Sequence, residues 1–359
     1  LGGLWTAREI VQQPAMLRET QKLLMARRAE IEAFLDPLLA MPGLRIILTG
    51  AGTSAFAGEC LAPVLSARLG RRVEAIATTD LVCAPHLYFE AETPTLLVSF
   101  GRSGNSPESV AAIELADRLV KSLSHLVITC NAEGALAAYG QGPRGLTVQL
   151  PEATHDRSFA MTSSFSCMMY AALAVFSGLA VMDARVEAIA RATQAVIANY
   201  TSVMQSAAAE GYQRVVYLGS HIFKGLARES ALQLLKPTNG APVTKTIVND
   251  RTLIVVFFSN DAYTRSYDMD LLDELRRDND AARVIAITAQ EGVGLSEQDQ
   301  ISVQGLTASD DVDLLFPYIV APQMLAFFES LQLGLNPDKP NTSGTVNRVV
   351  QGVRIHELS

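Results

Sequence analysis

The stretch with the most chemistry in it is Val98–Ser109, VSFGRSGNSPES, which follows the apolar run Thr95–Phe100 and leads into a helical pattern over Val110–Leu119. A buried strand that ends in Gly, Ser and Asn and then opens a helix builds an anion cradle. The unpaired backbone N–H groups of the first helical turn, flanked by small hydroxyls, attract a phosphate. The same grammar occurs earlier, where Arg45–Thr49 runs into Gly50-Ala51-Gly52-Thr53-Ser54 and then a helix from about Ala55. Either turn alone also reads as ordinary helix capping. Two such turns converging on one phosphoryl group are the stronger signal. Neither matches GxGxxG or GxxxxGK[ST], which argues against a dinucleotide and a nucleoside triphosphate.

The elements that must position these turns recur in the chain. Arg45–Gly50 (RIILTG) aligns with Arg214–Gly219 (RVVYLG), Thr95–Phe100 (TLLVSF) with Thr252–Phe257 (TLIVVF), and Val127–Gly134 (VITCNAEG) with Ile285–Gly292 (IAITAQEG). Three β-like runs in one order, separated by helical patterns, predict an α/β protein of two tandem lobes, each a mostly parallel sheet flanked by helices. The expected boundaries are a helical segment over 1–43, a first lobe over 44–183, a connecting helix over 184–211, a second lobe over 212–335 and a tail over 336–359. Thr6-Ala7-Arg8-Glu9 reads as a capping box, Leu17, Leu24, Ile31 and Leu35 continue at helical spacing, and Val186–Ala209 is a second helical region. The repeat has a hole: about twelve fewer residues separate Arg214 from Thr252 than separate Arg45 from Thr95. The join at Lys236–Lys245 is compressed. Either the second lobe has a deletion, or a loop is missing from the chain as read and the backbone breaks there.

At 359 residues, two cores are expected. With 49% hydrophobic and 18% charged residues the chain is not disordered, and a net charge of −8 argues against nucleic acid and membrane surfaces as partners. Cys60, Cys83, Cys130 and Cys167 form no CxxC and read as buried small hydrophobes of a reducing cytoplasm. The first residues lack the basic and apolar regions of a secretory signal. No residue from Ser158 to Met182 is charged. Its serines, Tyr170 and Gly178 make it a helix packed on all sides, within the protein or at a subunit interface, rather than a membrane span. A homo-oligomer, most simply a dimer, follows as an expectation. His86, His125, His155, His221 and His356 never pair at i, i+3 or i, i+4, so neither a metal nor another cofactor is expected.

Seven segments together resemble the double-domain SIS sugar isomerase family, and most closely its tagatose-6-phosphate ketose/aldose isomerases, also described as galactosamine-6-phosphate deaminase/isomerases. They are TAREIVQQP (Thr6–Pro14), LTGAGTSAFAGE (Leu48–Glu59), ATTDLVCAPHLYF (Ala77–Phe89), RSGNSPES (Arg102–Ser109), LPEATHDRSFAMTSSFSC (Leu150–Cys167), SNDAYTRSYDMDLLDELRRD (Ser259–Asp278) and SGTVNRVVQGV (Ser343–Val353). The resemblance implies a phosphorylated hexose or hexosamine as substrate. It implies that Thr53, Ser54, Ser103, Asn105 and Ser106 hold the phosphate, with Gly101 standing where related domains carry a hydroxyl. Thr162, Ser163 and Ser164 would lie against the sugar, or else cap the helix they open.

Moving a proton between C1 and C2, or expelling ammonia from C2, needs a base and an acid. The resemblance points to Glu229, on the helix after the second lobe's first strand; about two turns later, where relatives carry a second carboxylate, this chain has Lys236. His155 is the other candidate, with capping or a surface role as its alternative. His86 reads as a loop residue, His221 as ligand contact or cap, and Glu59 as a brace of the first turn. Relatives carry a His-Gly-Pro loop at the hole, reaching a neighbouring subunit's site, and a C-terminal tail that completes the site. Without that loop, a phosphosugar sensor is the alternative to an enzyme. Sensors of this kind carry a DNA-binding helix-turn-helix, and only about 43 residues precede the first strand here. An amidotransferase-type synthase would need a glutaminase domain that the sequence does not contain.

Overall fold

The computed structural model describes residues 2–238, 248–340, 354–356 and 358. Three helices lead in, α1 (Leu4–Val11), α2 (Gln13–Ala26) and α3 (Arg28–Ala40). Leu17, Leu24, Ile31 and Leu35, the apolar positions at helical spacing, are all buried. The first sheet has five parallel strands in the order β2-β1-β3-β4-β5: β1 (Arg45–Thr49), β2 (Val73–Ala75), β3 (Thr95–Gly101), β4 (Leu123–Thr129) and β5 (Gly145–Gln149). Every residue of β1, β3 and β4 is buried, which is why β1 and β3 read as largely apolar runs rather than alternating ones, while Ser124 and His125 interrupt β4. Helices α4 (Thr53–Leu69), α5 (Thr78–Cys83), α6 (Pro85–Tyr88), α7 (Pro107–Leu119) and α8 (Ala135–Tyr139) connect them. A 3-10 turn (Glu152–Thr154) then leads to α9 (Ser163–Ser177).

After α10 (Leu179–Ala209) comes a second parallel sheet, β6-β7-β8-β9, built from β6 (Arg214–Gly219), β7 (Thr252–Phe257), β8 (Arg283–Thr288) and β9 (Gln300–Ser302). Its helices are α11 (Phe223–Thr238), α12 (Ala262–Asp278) and α13 (Asp311–Gln332). The order β6-β7-β8-β9 repeats β1-β3-β4-β5. The counterpart of β2 is absent among the described residues. That strand would fall between β6 and β7, where the sequence is about twelve residues short. Tyr318 of α13 ties that helix to the sheet: its hydroxyl donates to Phe258 O at 2.8 Å and accepts from the Ala289 N–H at 3.1 Å. The ring stacks on Phe223 with centroids 5.2 Å apart.

The chain forms two compact units that interleave along the sequence. One, around the first sheet, takes Ala15–Asp156 and Ser163–Val186 with the described C-terminal residues. The other, around the second sheet, takes the N-terminal residues to Pro14, Arg157–Thr162 and Glu187–Pro340. Thr6 and Glu9 explain how α1 joins the second unit, and they correct the capping-box expectation. Helix α1 starts two residues before Thr6, with Gly3 as its cap. Thr6 donates its N–H and its hydroxyl to Asp338 Oδ1, both at 2.8 Å, while Glu9 accepts from the N–H groups of Arg157 and Ser158. Asp338 also takes the Gly3 and Trp5 N–H groups. Burial would raise its pKa, but these hydrogen bonds outweigh it and hold the carboxyl below its usual range.

Two other expectations change. Helix α9 is buried from Ser163 to Phe176 within this one chain, so the uncharged stretch no longer argues for a subunit interface. Cys60, Cys130 and Cys167 are buried, but Cys83 is exposed at the end of α5. Helix α13 is the one described helix long and apolar enough to cross a membrane, and most of it is buried. The expected break at Lys236–Lys245 lies largely outside the described residues, as does most of the C-terminal tail.

Glu329, near the end of α13, is buried, and burial pushes its pKa up to about 7. The folded chain therefore keeps this proton to about pH 7, whereas an unfolded glutamate releases it near 4.5. The native state binds more protons in that window, so stability falls as pH rises through it. Glu329→Gln removes the penalty: thermal melts should place its Tm a few degrees above wild type at pH 8, with the gap closing by pH 4.5. A gap independent of pH would contradict this assignment.

Candidate active site

Both Ser- and Gly-rich turns of the first-sheet unit end a buried strand and begin a helix. After β1, Gly52 takes a φ of 56°, the left-handed region that glycine enters without a Cβ penalty, and α4 starts at once with Thr53 and Ser54, both buried. After β3, Ser106 occupies the cap of α7, but its hydroxyl donates to Ser109 Oγ at 2.5 Å instead of capping the helix N–H groups. Ser103 Oγ accepts from the Asn105 N–H at 3.3 Å. The Asn105 side-chain carbonyl accepts from the Ala135 N–H at 2.8 Å, and Asn131 Nδ2 donates to Ser103 O at 2.8 Å, so the turn is braced from α8 and from the loop after β4. Asn105 thus has a bracing role that its sequence position did not announce. A Cβ at Gly101 would lie 2.8 Å from Leu136 Cδ1, the movable end of a side chain, and 3.2 Å from Gly104 Cα, so a side chain there fits only tightly.

The second-sheet unit repeats the backbone of these turns and not their chemistry. His221, at the place of Gly52, also has positive φ, 48°, but Thr53 and Ser54 are matched by Ile222 and Phe223, both fully buried. Carboxylates already hold the donors of the second turn. The Ser259 N–H donates to Asp268 Oδ2 at 2.9 Å, its hydroxyl to Asp311 Oδ2 at 2.5 Å, and the Asn260 N–H to Asp311 Oδ1 at 2.6 Å; Ser220 donates to Asp268 as well. Asp261 caps α12 through the Thr264 N–H at 2.8 Å. A phosphate would meet three acidic side chains there. One phosphosugar should therefore bind per chain, and titration calorimetry giving a stoichiometry near two would refute this.

Of the remaining candidates, Ser163 and Ser164 donate their hydroxyls to Asp156 at 2.5 and 2.6 Å, and the Ser164 N–H donates to it at 2.9 Å. The buried Asp156 is the acceptor that organises the start of α9, and it follows His155, which is half-buried after the 3-10 turn. In the second-sheet unit Thr162 is buried and lines a small cavity with Gln233 of α11. Gln233 Nε2 donates to Met161 O at 2.6 Å and also to Glu229 Oε1, so it orients the fully buried Glu229 carboxyl. No sequence signal had marked Gln233, apart from its place one helical turn after Glu229. His86 and His221 are exposed, and Glu59 is half-buried on α4.

Parallel α/β sheets bearing paired Ser- and Gly-rich strand-to-helix turns are the architecture of a phosphosugar-binding fold, and residues 38–178 match the SIS domain. D-galactosamine-6-phosphate deaminase AgaS from Escherichia coli is 44% identical over 99% of this chain and 96% of its own length. The protein of that name from Shewanella sp. (strain ANA-3) is 43% identical over 99% of this chain and 92% of its own. Among solved structures, tagatose-6-phosphate ketose/aldose isomerase from Escherichia coli superposes with a TM-score of 0.91 at 41% identity, covering 99% of this chain and 97% of that one. The chain belongs to the SIS domain family and, within it, to the group of these AgaS proteins. The alignment to the Escherichia coli deaminase runs over 368 residues, more than the 359 of this chain, so that relative holds residues that this chain lacks.

Proposed function

We propose that the chain converts a hexosamine 6-phosphate, galactosamine 6-phosphate in preference, to a ketose 6-phosphate and ammonia by proton transfer between C1 and C2 and hydrolysis of the C2–N bond. The observation that carries this is the 44% identity, over 99% of the chain, to an enzyme named D-galactosamine-6-phosphate deaminase. Likeness at that level over nearly the whole chain is a stronger ground for an activity than a shared fold alone. It favours an enzyme over a sensor. In this reading Thr53, Ser54, Ser103 and Ser106 hold the phosphate with Asn105 as a brace. Glu229 moves the proton, His155 assists ring opening, and Thr162, Ser163 and Ser164 belong to the sugar side, the two serines through Asp156. Proton transfer through an enediol or enaminol involves no net redox change and so requires no redox cofactor.

A cytoplasmic setting and a homo-oligomer, a dimer first, complete the proposal, the latter supported by the resemblance to SIS isomerases completed across subunits. A net charge of −8 speaks against nucleic acid and membrane surfaces as partners. The test is a panel: ammonia release from galactosamine 6-phosphate and glucosamine 6-phosphate, beside isomerisation of tagatose 6-phosphate. Galactosamine 6-phosphate should give the highest kcat/KM. A preference for glucosamine 6-phosphate would overturn the substrate, and turnover of tagatose 6-phosphate alone would overturn the deamination.

A further inference from the structure

A small cavity in the second-sheet unit, mostly apolar with a few polar groups, lies one hydrogen bond from Glu229. Its volume is about 30 Å³, room for about two or three water-sized molecules at the roughly 10–15 Å³ that each requires. Thr6, Thr162, Gln233, Gln323, Phe327 and Ser330 are among the residues around it. Two of these are almost wholly buried and hold a polar atom with no hydrogen-bond partner: Gln323 Nε2 and Ser330 Oγ. The other end of the Gln323 amide is fixed, because its Oε1 accepts from Gln13 Nε2 at 2.7 Å. The free Nε2 is therefore held in place and not a matter of rotation.

An unpartnered amide donor and an unpartnered hydroxyl call for a guest that accepts and donates hydrogen bonds at once. A cation cannot accept from Gln323, and an anion would face the Glu229 carboxyl across Gln233. Water fits, and ammonia shares its chemistry. We propose that this cavity holds the water consumed in deamination, with Gln323 and Ser330 as its positioning residues. The inference rests on the deaminase reading. After the C2 proton has moved to C1, the substrate carries a C2 iminium. The water oxygen bonds to C2 and gives up a proton, forming a carbinolamine. The C2–N bond then breaks, the nitrogen leaves as ammonia with a proton gained in the exchange, and the remaining oxygen becomes the C2 ketone. Hexosamine phosphate and water give ketose phosphate and ammonia, with no oxidant or reductant.

The test separates proton transfer from hydrolysis. In D₂O, galactosamine 6-phosphate recovered from the reaction reports C2 hydrogen exchange by NMR, while ammonia is measured in parallel. Ser330→Ala and Gln323→Met should each lower ammonia release on the order of tenfold or more, as misplacement of a reactant does, with C2 exchange kept within about threefold of wild type. Ser330→Ala removes only a hydroxyl and keeps the test valid if Gln323→Met fails to fold. Both rates falling together, or neither moving, would overturn the proposal. So would an effect confined to the KM for ammonium in the reverse reaction, which would assign the cavity to ammonia. A wild-type protein that exchanges the C2 hydrogen but releases no ammonia from any hexosamine phosphate would refute the deaminase reading itself, a failure visible before any variant is made.

Discussion

Glu229→Gln is expected to lower kcat for ammonia release by about 10²- to 10⁴-fold, the usual contribution of a positioned acid–base group, while leaving the fold intact. The carboxyl is fully buried and its Oε1 accepts from Gln233, a hydrogen bond that a glutamine carbonyl at the same place can still accept. The substitution therefore removes the proposed proton acceptor and little else. A melt close to wild type, a KM for galactosamine 6-phosphate changed by less than about threefold and a collapsed kcat would mark loss of a group that acts in the transition state. Activity within about threefold of wild type would remove Glu229 from the mechanism and leave His155 as the remaining candidate.

The second large effect concerns phosphate. The double variant Ser103→Ala, Ser106→Ala removes two hydroxyls that hydrogen-bond within the turn only to the Asn105 N–H and to Ser109. Charge-assisted hydrogen bonds to a phosphate contribute roughly 1.5–3 kcal/mol each, so KM should rise at least about tenfold even if one contact is taken over by water. Neither serine is in the core, and the melting temperature should stay near wild type. Unchanged phosphosugar affinity in the double variant would move the phosphate elsewhere. Asp156 makes a useful contrast, since its loss strips the start of α9 of a buried acceptor and should cost stability first.

Strands β1 and β3 were legible because burial on both faces of a parallel sheet leaves a mostly apolar run; of β4 only Val127–Thr129 was legible, since Ser124 and His125 break its first half, and the recurrence of the three runs exposed the second sheet. Both strand-to-helix turns were legible as turns because Gly and Ser cluster where a strand ends and a helix begins; each alone also reads as capping, and the occurrence of two made the stronger signal. Helix α13 was not, since Pro317 and Pro322 lie inside it and proline is a helix breaker in isolation; burial along the helix outweighs that local cost. Nor was the difference between the two sets of turns. The aspartates that fill the second set, Asp268 and Asp311, lie 9 and 52 residues from Ser259, and contacts of the latter range leave no local pattern. Thr6 and Glu9 misled for the same reason: at capping-box spacing they serve distant partners, Asp338 and the Arg157–Ser158 backbone.

The central claim, that this SIS protein expels the amine of a hexosamine phosphate, is tested most directly by the product balance with purified enzyme and galactosamine 6-phosphate. The account predicts ammonia and tagatose 6-phosphate appearing together in a one-to-one ratio. Ketose or aldose phosphate forming with the nitrogen still attached, or no product at saturating substrate, would contradict it.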